Sequence, residues 1–193
     1  MNIIHHIVSI LFGKKNQGPR PGHGGFTLVE AMVAIAILSM AVTGPLLIAQ
    51  KGIGSAIYAR EQITAFYLAQ EAVEYIRNIR DTNRITRDPW LTNLTACVGA
   101  VCRIDGTVLT SGEKAVACSS DPGAVCKPLW LGSVTGLYGY TESGATQTPF
   151  TRSVSIVQDS SQQSAKISVT VSWTTKLFTP VRSFTIQEYI FNF

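Results

Sequence analysis

Charge is scarce in this sequence. Asp, Glu, Lys and Arg make up 15% of its 193 residues, against roughly 25% in an ordinary soluble domain. That deficit excludes a conventionally charged, solvated surface along the whole chain. It calls for a membrane segment or for a surface of uncharged Ser and Thr, and both can be read here. Residues 1–25 contain no acid, only Lys14, Lys15 and Arg20. Histidine is absent after His23, and the other two, His5 and His6, are earlier still. His-centred acid–base catalysis therefore has no residue to work with beyond position 23. Two adjacent histidines are a weak metal signal. Nucleophile-elbow, H-E-x-x-H and phosphate-loop patterns are missing as well. An enzyme is not expected, nor is a cofactor or a resident metal.

The net charge of +4 is unevenly placed. Taking the three leader cations from the 16 basic residues leaves 13 against 12 acids in the remainder. The high pI thus reflects mainly the first 25 residues, and a nucleic-acid partner is not expected from charge. Arg77, Arg80, Arg84 and Arg87 recur at three, four and three, but Asp81 and Asp88 interleave with them. They read as a solvated helix end.

Cysteine is absent from the first 96 residues, then Cys97, Cys102, Cys118 and Cys126 fall close together. A zinc site would favour two close-spaced pairs; Cys97–Cys102 is C-x4-C, but Cys118–Cys126 is C-x7-C and fits poorly. Disulfides are the expectation outside the cytoplasm. Local pairs, Cys97–Cys102 and Cys118–Cys126, are the simplest, since each brackets a turn-prone stretch: Gly99 in one, Pro122-Gly123 in the other. The crossing and nested pairings stay open at this level.

What the sequence does have is one long apolar run. Phe26 to Ala49, FTLVEAMVAIAILSMAVTGPLLIA, holds a single charge, Glu30. As a helix these residues reach about 36 Å, enough for a hydrocarbon core of about 30 Å. The run is too long and too late for a secretory h-region. The cations just before it predict a cytoplasmic N-terminus and an outer C-terminal body. Upstream, Ile3 to Phe12 is too short to span, and Gly13 to Gly25 is a Gly/Pro-rich, accessible linker.

The helical pattern continues past the membrane run. Ala65, Leu68, Ala72, Ile76 and Ile79 recur at three and four, widened by Phe66, Ala69 and Val73, which is the spacing of one buried helix face. Glu74 and Arg77 add an i, i+3 pair. The helix is expected to run to about Asp81, and Asp88-Pro89 ends any helical reading. The period then changes to two. Residues Lys166 to Trp173 alternate strictly, with Ile167, Val169, Val171 and Trp173 on one face. Phe150 to Gln158 puts Val154 and Ile156 on one face, and Ser183 to Phe193 is a third β-rich run. With the polar loop 159–164 between the first two, these predict an antiparallel meander. Residues 91–143 give a weak signal, with a candidate hairpin over 103–109 turning at Asp105-Gly106.

Glu30 is the physically odd residue. A carboxylate at the centre of a membrane helix costs about 2.5–3.5 kcal/mol on insertion scales. Near the helix start the cost is smaller, and the dipole favours an anion there. A plain anchor still has no need of it, and no Lys, Arg or His lies between Phe26 and Gln50 to pair with it. An α-amino group freed by cutting before Phe26 would supply a partner.

Gly25-Phe-Thr-Leu-Val-Glu30, with the basic leader before it and the apolar run after it, resembles the type IV pilin superfamily. That superfamily includes pilins of type IV pili and pseudopilins of type II secretion and competence systems. The resemblance implies a membrane-embedded prepilin peptidase that cuts between Gly25 and Phe26 and methylates the Phe26 amine. It implies that Glu30 pairs with the Phe26 amine of a neighbouring subunit during assembly, and that Gly44 and Pro45 kink or loosen the helix. Implied partners are that peptidase, other pilin or pseudopilin subunits and an inner-membrane assembly platform; nucleic acid enters only in a competence filament. LAQEAVEYIRNIRD is similar to the stalks of minor pilins and pseudopilins, and four mid-head cysteines depart from a major pilin. The expectation is an α+β protein: a long N-terminal helix packed through its outer half on a small antiparallel sheet. Its parts are a leader (1–25), a membrane and assembly helix (26–49), the amphipathic outer half of the helix (50–88) and an extracytoplasmic β-rich head (89–193). The rival reading is a single-pass, membrane-anchored binding module.

Overall fold

The computed structural model describes residues 25–107, 115–175 and 178–192. The leader therefore falls outside the described residues up to position 24, with Lys14, Lys15, Arg20 and all three histidines. One helix, α1 (Leu28–Thr86), dominates the N-terminal part. Two compact units share it, Met1–Gln50 and Lys51–Phe193.

In the first unit, α1 starts at a defined cap. The Thr27 carbonyl accepts from Ala31 N–H at 3.1 Å, and the Thr27 hydroxyl accepts from Glu30 N–H at 3.2 Å. Thr27 is thus the N-cap of a T-x-x-E start, satisfying a donor that the first turn would otherwise leave open. None of residues 25–50 is buried. The hydroxyls within the apolar run bond back to the helix: Ser39 to the Ile35 carbonyl (2.8 Å) and Thr43 to the Ser39 carbonyl (2.7 Å). Each hydroxyl is satisfied without water, as a membrane segment requires. The helix assignment is unbroken through Gly44 and Pro45, although Pro45 has no N–H for the Ala41 carbonyl.

In the second unit α1 becomes one-sided. Its buried residues are Ala65, Leu68, Ala69, Ala72, Val73, Ile76, Ile79 and Asn83, at the spacing of a single face. The helix runs five residues beyond the expected Asp81. It closes on two bonds, Asp88 N–H to the Asn83 carbonyl (2.8 Å) and Arg87 N–H to the Arg84 carbonyl (3.2 Å). This is a Schellman end, with Arg87 (φ 61°) in the left-handed position where glycine is usual. No glycine marks the stop; the sequence signal for it is Asp88-Pro89, two residues on. Buried Asn83 fastens the following loop by donating to the carbonyls of Trp90 (3.1 Å) and Thr92 (2.8 Å).

Seven strands form one sheet: β1 (Val101–Ile104), β2 (Ala115–Ala117), β3 (Pro128–Gly132), β4 (Tyr138–Gly139), β5 (Ala145–Gln158), β6 (Ser164–Thr175) and β7 (Phe178–Phe191). The strands β5, β6 and β7 make the expected antiparallel meander, each longer than the sequence pattern indicated. The other edge of β5 is divided. Its first half pairs with β3 from Ala145 to Thr151, and its second half pairs with β1 at Val154 and Ser155. β4 extends β3 and β2 extends β1, all antiparallel. The expected hairpin over 103–109 is corrected. β1 ends at Ile104, and its partner strand is Ala115–Ala117, because Asp105 to Thr107 turn out of the sheet; residues 108–114 lie outside the described residues.

The core is the helix stripe against one sheet face. Val154, Ile156, Ile167, Val169 and Val171 are at most 1% exposed. Their alternation explains the choice of face, since a one-residue slip would carry all five to solvent. At the end of α1, Trp90, Leu91 and Leu94 close the core with Cys97, Cys102, Ile104 and Leu129. Two disulfides are present, Cys97–Cys102 and Cys118–Cys126, with Cα separations of 4.9 and 4.6 Å. Both are local. The first lies in the core, and the second closes the loop of 3₁₀ turns between β2 and β3. Bridges over loops this short stabilise by about 2–3 kcal/mol.

Candidate functional site

Of the residues singled out in the N-terminal segment, Gly25, Phe26 and Glu30 lie within six positions of one another at the start of α1, and Gly44 and Pro45 lie further along it. Gly25, Phe26 and Thr27 are non-helical and exposed; Phe26 retains 85% of its accessible surface. Backbone in this state can enter a peptidase active site, and a Cβ on Gly25 would meet nothing within 4 Å. Its own fold therefore does not require glycine there. Glu30 lies in the first turn of α1 and is exposed. Its amide is held by Thr27, and its carboxylate has no partner among the described residues. A bare apolar helix follows it: Met32, Ile35, Leu38 and Met40 each keep more than 60% of their surface. This is the stretch of α1 long and apolar enough to cross a membrane. Gly44, like Gly25, has no neighbour within 4 Å of a built Cβ.

A second cluster in the head escaped the sequence reading. Arg152 sits on β5 between Phe150 and Val154, on the apolar face, and is 0% exposed. Its guanidinium donates to the carbonyl of Leu68 in α1 (2.9 Å) and to that of Ile104 in β1 (2.8 Å). The Glu71 carboxylate lies 3.5 Å away, while Nε has no partner. One buried cation thereby ties helix, central strand and side strand together. Around it, Tyr140 donates to the Arg152 carbonyl at 3.5 Å and lies under the Arg103 guanidinium. Arg103 in turn pairs with buried Asp121 at 3.0 Å. Burial raises the Tyr140 hydroxyl pKa, and burial followed by the nearby Asp105 raises that of Tyr75. Both hydroxyls stay neutral at physiological pH. The available signal was an arginine at an inward position of an alternating strand.

Nothing in this cluster is arranged for chemistry. Arginine is not a proton shuttle at ordinary pH, and the hydrogen bonds of the Arg152 guanidinium run to backbone carbonyls. In the basic run on α1, Arg84 and Arg87 are exposed, whereas Arg77 pairs with Glu74 and with Glu188 of β7, and Arg80, its side chain 15% exposed, pairs with Asp81. The Glu188 contact raises the Arg77 pKa further.

Against known proteins, the family model of the prokaryotic N-terminal methylation motif matches residues 20–44. No curated protein and no solved structure matches the chain. The matched segment contains Gly25, Phe26, Glu30 and Gly44 and stops one residue before Pro45. This chain carries the cleavage-and-methylation signature of type IV pilin precursors, and its helix-on-sheet layout is pilin-like. The motif implies processing by a prepilin peptidase and assembly with other pilins, and members of the family are structural subunits.

Proposed function

We propose that the chain is a minor pilin or pseudopilin, a filament subunit cut after Gly25, methylated on the Phe26 amine and held in the cytoplasmic membrane by residues 26–49 until assembly. The observation that carries this is the bare apolar helix, beginning two residues after Phe26, with a carboxylate in its first turn that has no partner among the described residues. The cut would place an α-ammonium one residue before the Thr27 cap, at the positive end of the helix dipole. Two positive features side by side favour an anion nearby. Glu30 of an adjoining subunit is that anion, and pairing removes two charges from the cost of leaving water. On this reading 1–25 is leader, 26–49 assembly helix, 50–88 outer helix and 89–193 head. Gly44 and Pro45 form the weak point at which the helix yields during assembly, and the assembly platform is the inner-membrane partner. The four mid-head cysteines support a minor subunit over a major one.

The mass of the protein extracted from membranes tests this. The expected species lacks residues 1–25 and carries one added methyl group. An intact chain, or one cut elsewhere, would instead belong to a plain membrane-anchored binding module. Glu30→Ala separates assembly from anchoring. Its product is expected in the membrane, cut and methylated, but missing from sheared filaments or their pseudopilus equivalent. Assembly at the wild-type level overturns the pairing role.

A further inference from the structure

The sheet of the head has two unlike edges. On one side the outermost strands are β2 and β4, three and two residues long. Short, divided strands blunt an edge against further pairing. On the other side the outermost strand is β7, 14 residues long, which pairs with β6 alone among the described residues. From Arg182 to Phe191 its register against β6 runs without a bulge; the shift between Trp173 and Thr175 falls before that stretch. No lysine stands on β7, and its proline, Pro180, lies near its start. Its inward charges are engaged, Glu188 by Arg77 and Arg182 over the Tyr58 ring. A long edge without guards is a template for another strand.

The ladder also shows which backbone groups are left over. Asn192 N–H donates to the Gln163 carbonyl at 2.8 Å, and these two continue the register that pairs Ser164 with Phe191. Bonded and non-bonded pairs alternate along an antiparallel ladder. The even-numbered residues of β7 are therefore the ones bonded to β6. The N–H and C=O of Ser183, Thr185, Gln187 and Tyr189 point into the open edge, and all four residues are exposed. The other side of β6 agrees. Asp159 N–H donates to the Ser164 carbonyl at 2.9 Å, which gives the even-numbered residues of β6 to β5 and leaves the odd-numbered ones for β7.

Beside this edge the side facing α1 is unfinished. Phe184 and Ile186 are only partly buried. Phe66 of α1, its ring centroid 5.6 Å from that of Phe184, keeps 38% of its surface, and Ile63, one turn earlier, keeps 57%. We infer that β7 accepts a strand from a different subunit, an extended segment that pairs antiparallel with Ser183–Tyr189 and lays alternate apolar side chains beside Phe184 and Ile186. Main-chain bonds hold such a strand, and the alternating side chains select it. A second copy of this chain does not fit. β7 runs the same way as α1, with Arg182 at Tyr58, Phe184 at Phe66 and Glu188 at Arg77. Antiparallel pairing of two β7 strands would point their helices in opposite directions, whereas copies held in one membrane both enter the head at Lys51 from the membrane side. The opposite edge of a second copy offers only the short β2 and β4. The exclusion of a second copy rests on the membrane-held reading above; the open edge does not.

Site-specific photocrosslinking of the full chain in the cells that produce it tests this. A benzophenone amino acid is placed in turn at Ser183, Thr185 and Gln187, and the adducts are mapped to the residue by mass spectrometry. All three sites are expected to join one other subunit, at positions that step backwards along the partner as the probe steps forwards along β7. Ser183→Pro and Thr185→Pro each delete one edge-facing N–H and no bond to β6, a change that edge strands tolerate. In each, the adduct from Gln187 should fall roughly fivefold or more, the scale of one lost hydrogen bond, while thermal unfolding of the head is unchanged. Should both variants unfold, the adduct map alone decides. Adducts within the chain or to a second copy, adducts scattered over many proteins, no adduct, or an unchanged yield in both folded variants overturns the inference. The mass of the same extracted protein reports cutting after Gly25 independently, so a failure of the membrane-held reading shows separately.

Discussion

Residues 28–50 and 51–86 of α1 share a backbone conformation and differ in almost everything else. The first stretch is apolar all round and buries nothing. The second is apolar on one stripe, and that stripe supplies seven of the buried hydrophobic residues of the core. Propensity cannot separate them, since β-branched Ile and Val occur in both. Pattern does. An all-round apolar surface has no preferred face and suits a medium that is apolar on every side. A stripe has one preferred face and needs one partner, here the sheet. Of these two environments only the sheet is built into the chain.

Making the same substitution in both halves breaks the comparison most sharply. Ile76 is 0% exposed against the sheet, so Ile76→Ala should cost the head about 2–5 kcal/mol, the range for truncating a buried branched side chain. Ile35, 64% exposed in the first half, should leave head stability unchanged when made Ala. Denaturant unfolding of the two variants, followed by Trp emission, gives both numbers. A similar loss from each would mean that the halves do not differ as described.

Arg152 asks whether the helix is held to the sheet by apolar contact alone. Arg152→Leu keeps the volume but removes two hydrogen bonds to carbonyls of Leu68 and Ile104. The expected loss is about 2–3 kcal/mol, since bonds from a charged donor are worth more than neutral ones but the Leu68 carbonyl also serves the helix. A neutral or stabilising result in the same unfolding assay would class Arg152 with those buried ions that apolar residues can replace. The smallest effect is expected at Arg77, whose side chain is 38% exposed where it meets Glu188. Arg77→Gln should cost less than about 1 kcal/mol, the scale of a solvent-screened pair, and less still in high salt.

The sequence carried the helix stripe, the meander and the inward faces of β5 and β6, because each depends on a period that side chains alone declare. Gly25, Phe26 and Glu30 drew attention for another reason: a lone carboxylate in an apolar run is costly, and the methylation motif spans them. Other features depended on geometry with no compositional mark. Asp88-Pro89 marked the region where α1 ends, but not its last turn, which closes on Arg87 in a conformation usually taken by glycine. β1 to β4 are two to five residues long, too short to show a period; β1 and β3 hold their places by pairing with β5, β2 by pairing with β1 and β4 by pairing with β3. Arg152 was visible as an exception to an alternation, yet its partners, Leu68 and Ile104, are 84 and 48 positions away. Only the folded chain brings them together.

β5 has a further consequence for how such a head can diversify. Its free edge in the meander is long enough for two lodgers: β3–β4 take the half from Ala145 to Thr151, and β1–β2 take the half around Val154 and Ser155. Each hairpin occupies its own socket on that edge, and each adds to the core under α1: Cys102 and Ile104 from β1, Leu129 from β3. A substitution confined to the outward residues of β3–β4 leaves the pairing of β5 with β1 in place. New surface can be tried at one socket while the other, and the helix that has to fit a filament, stay the same.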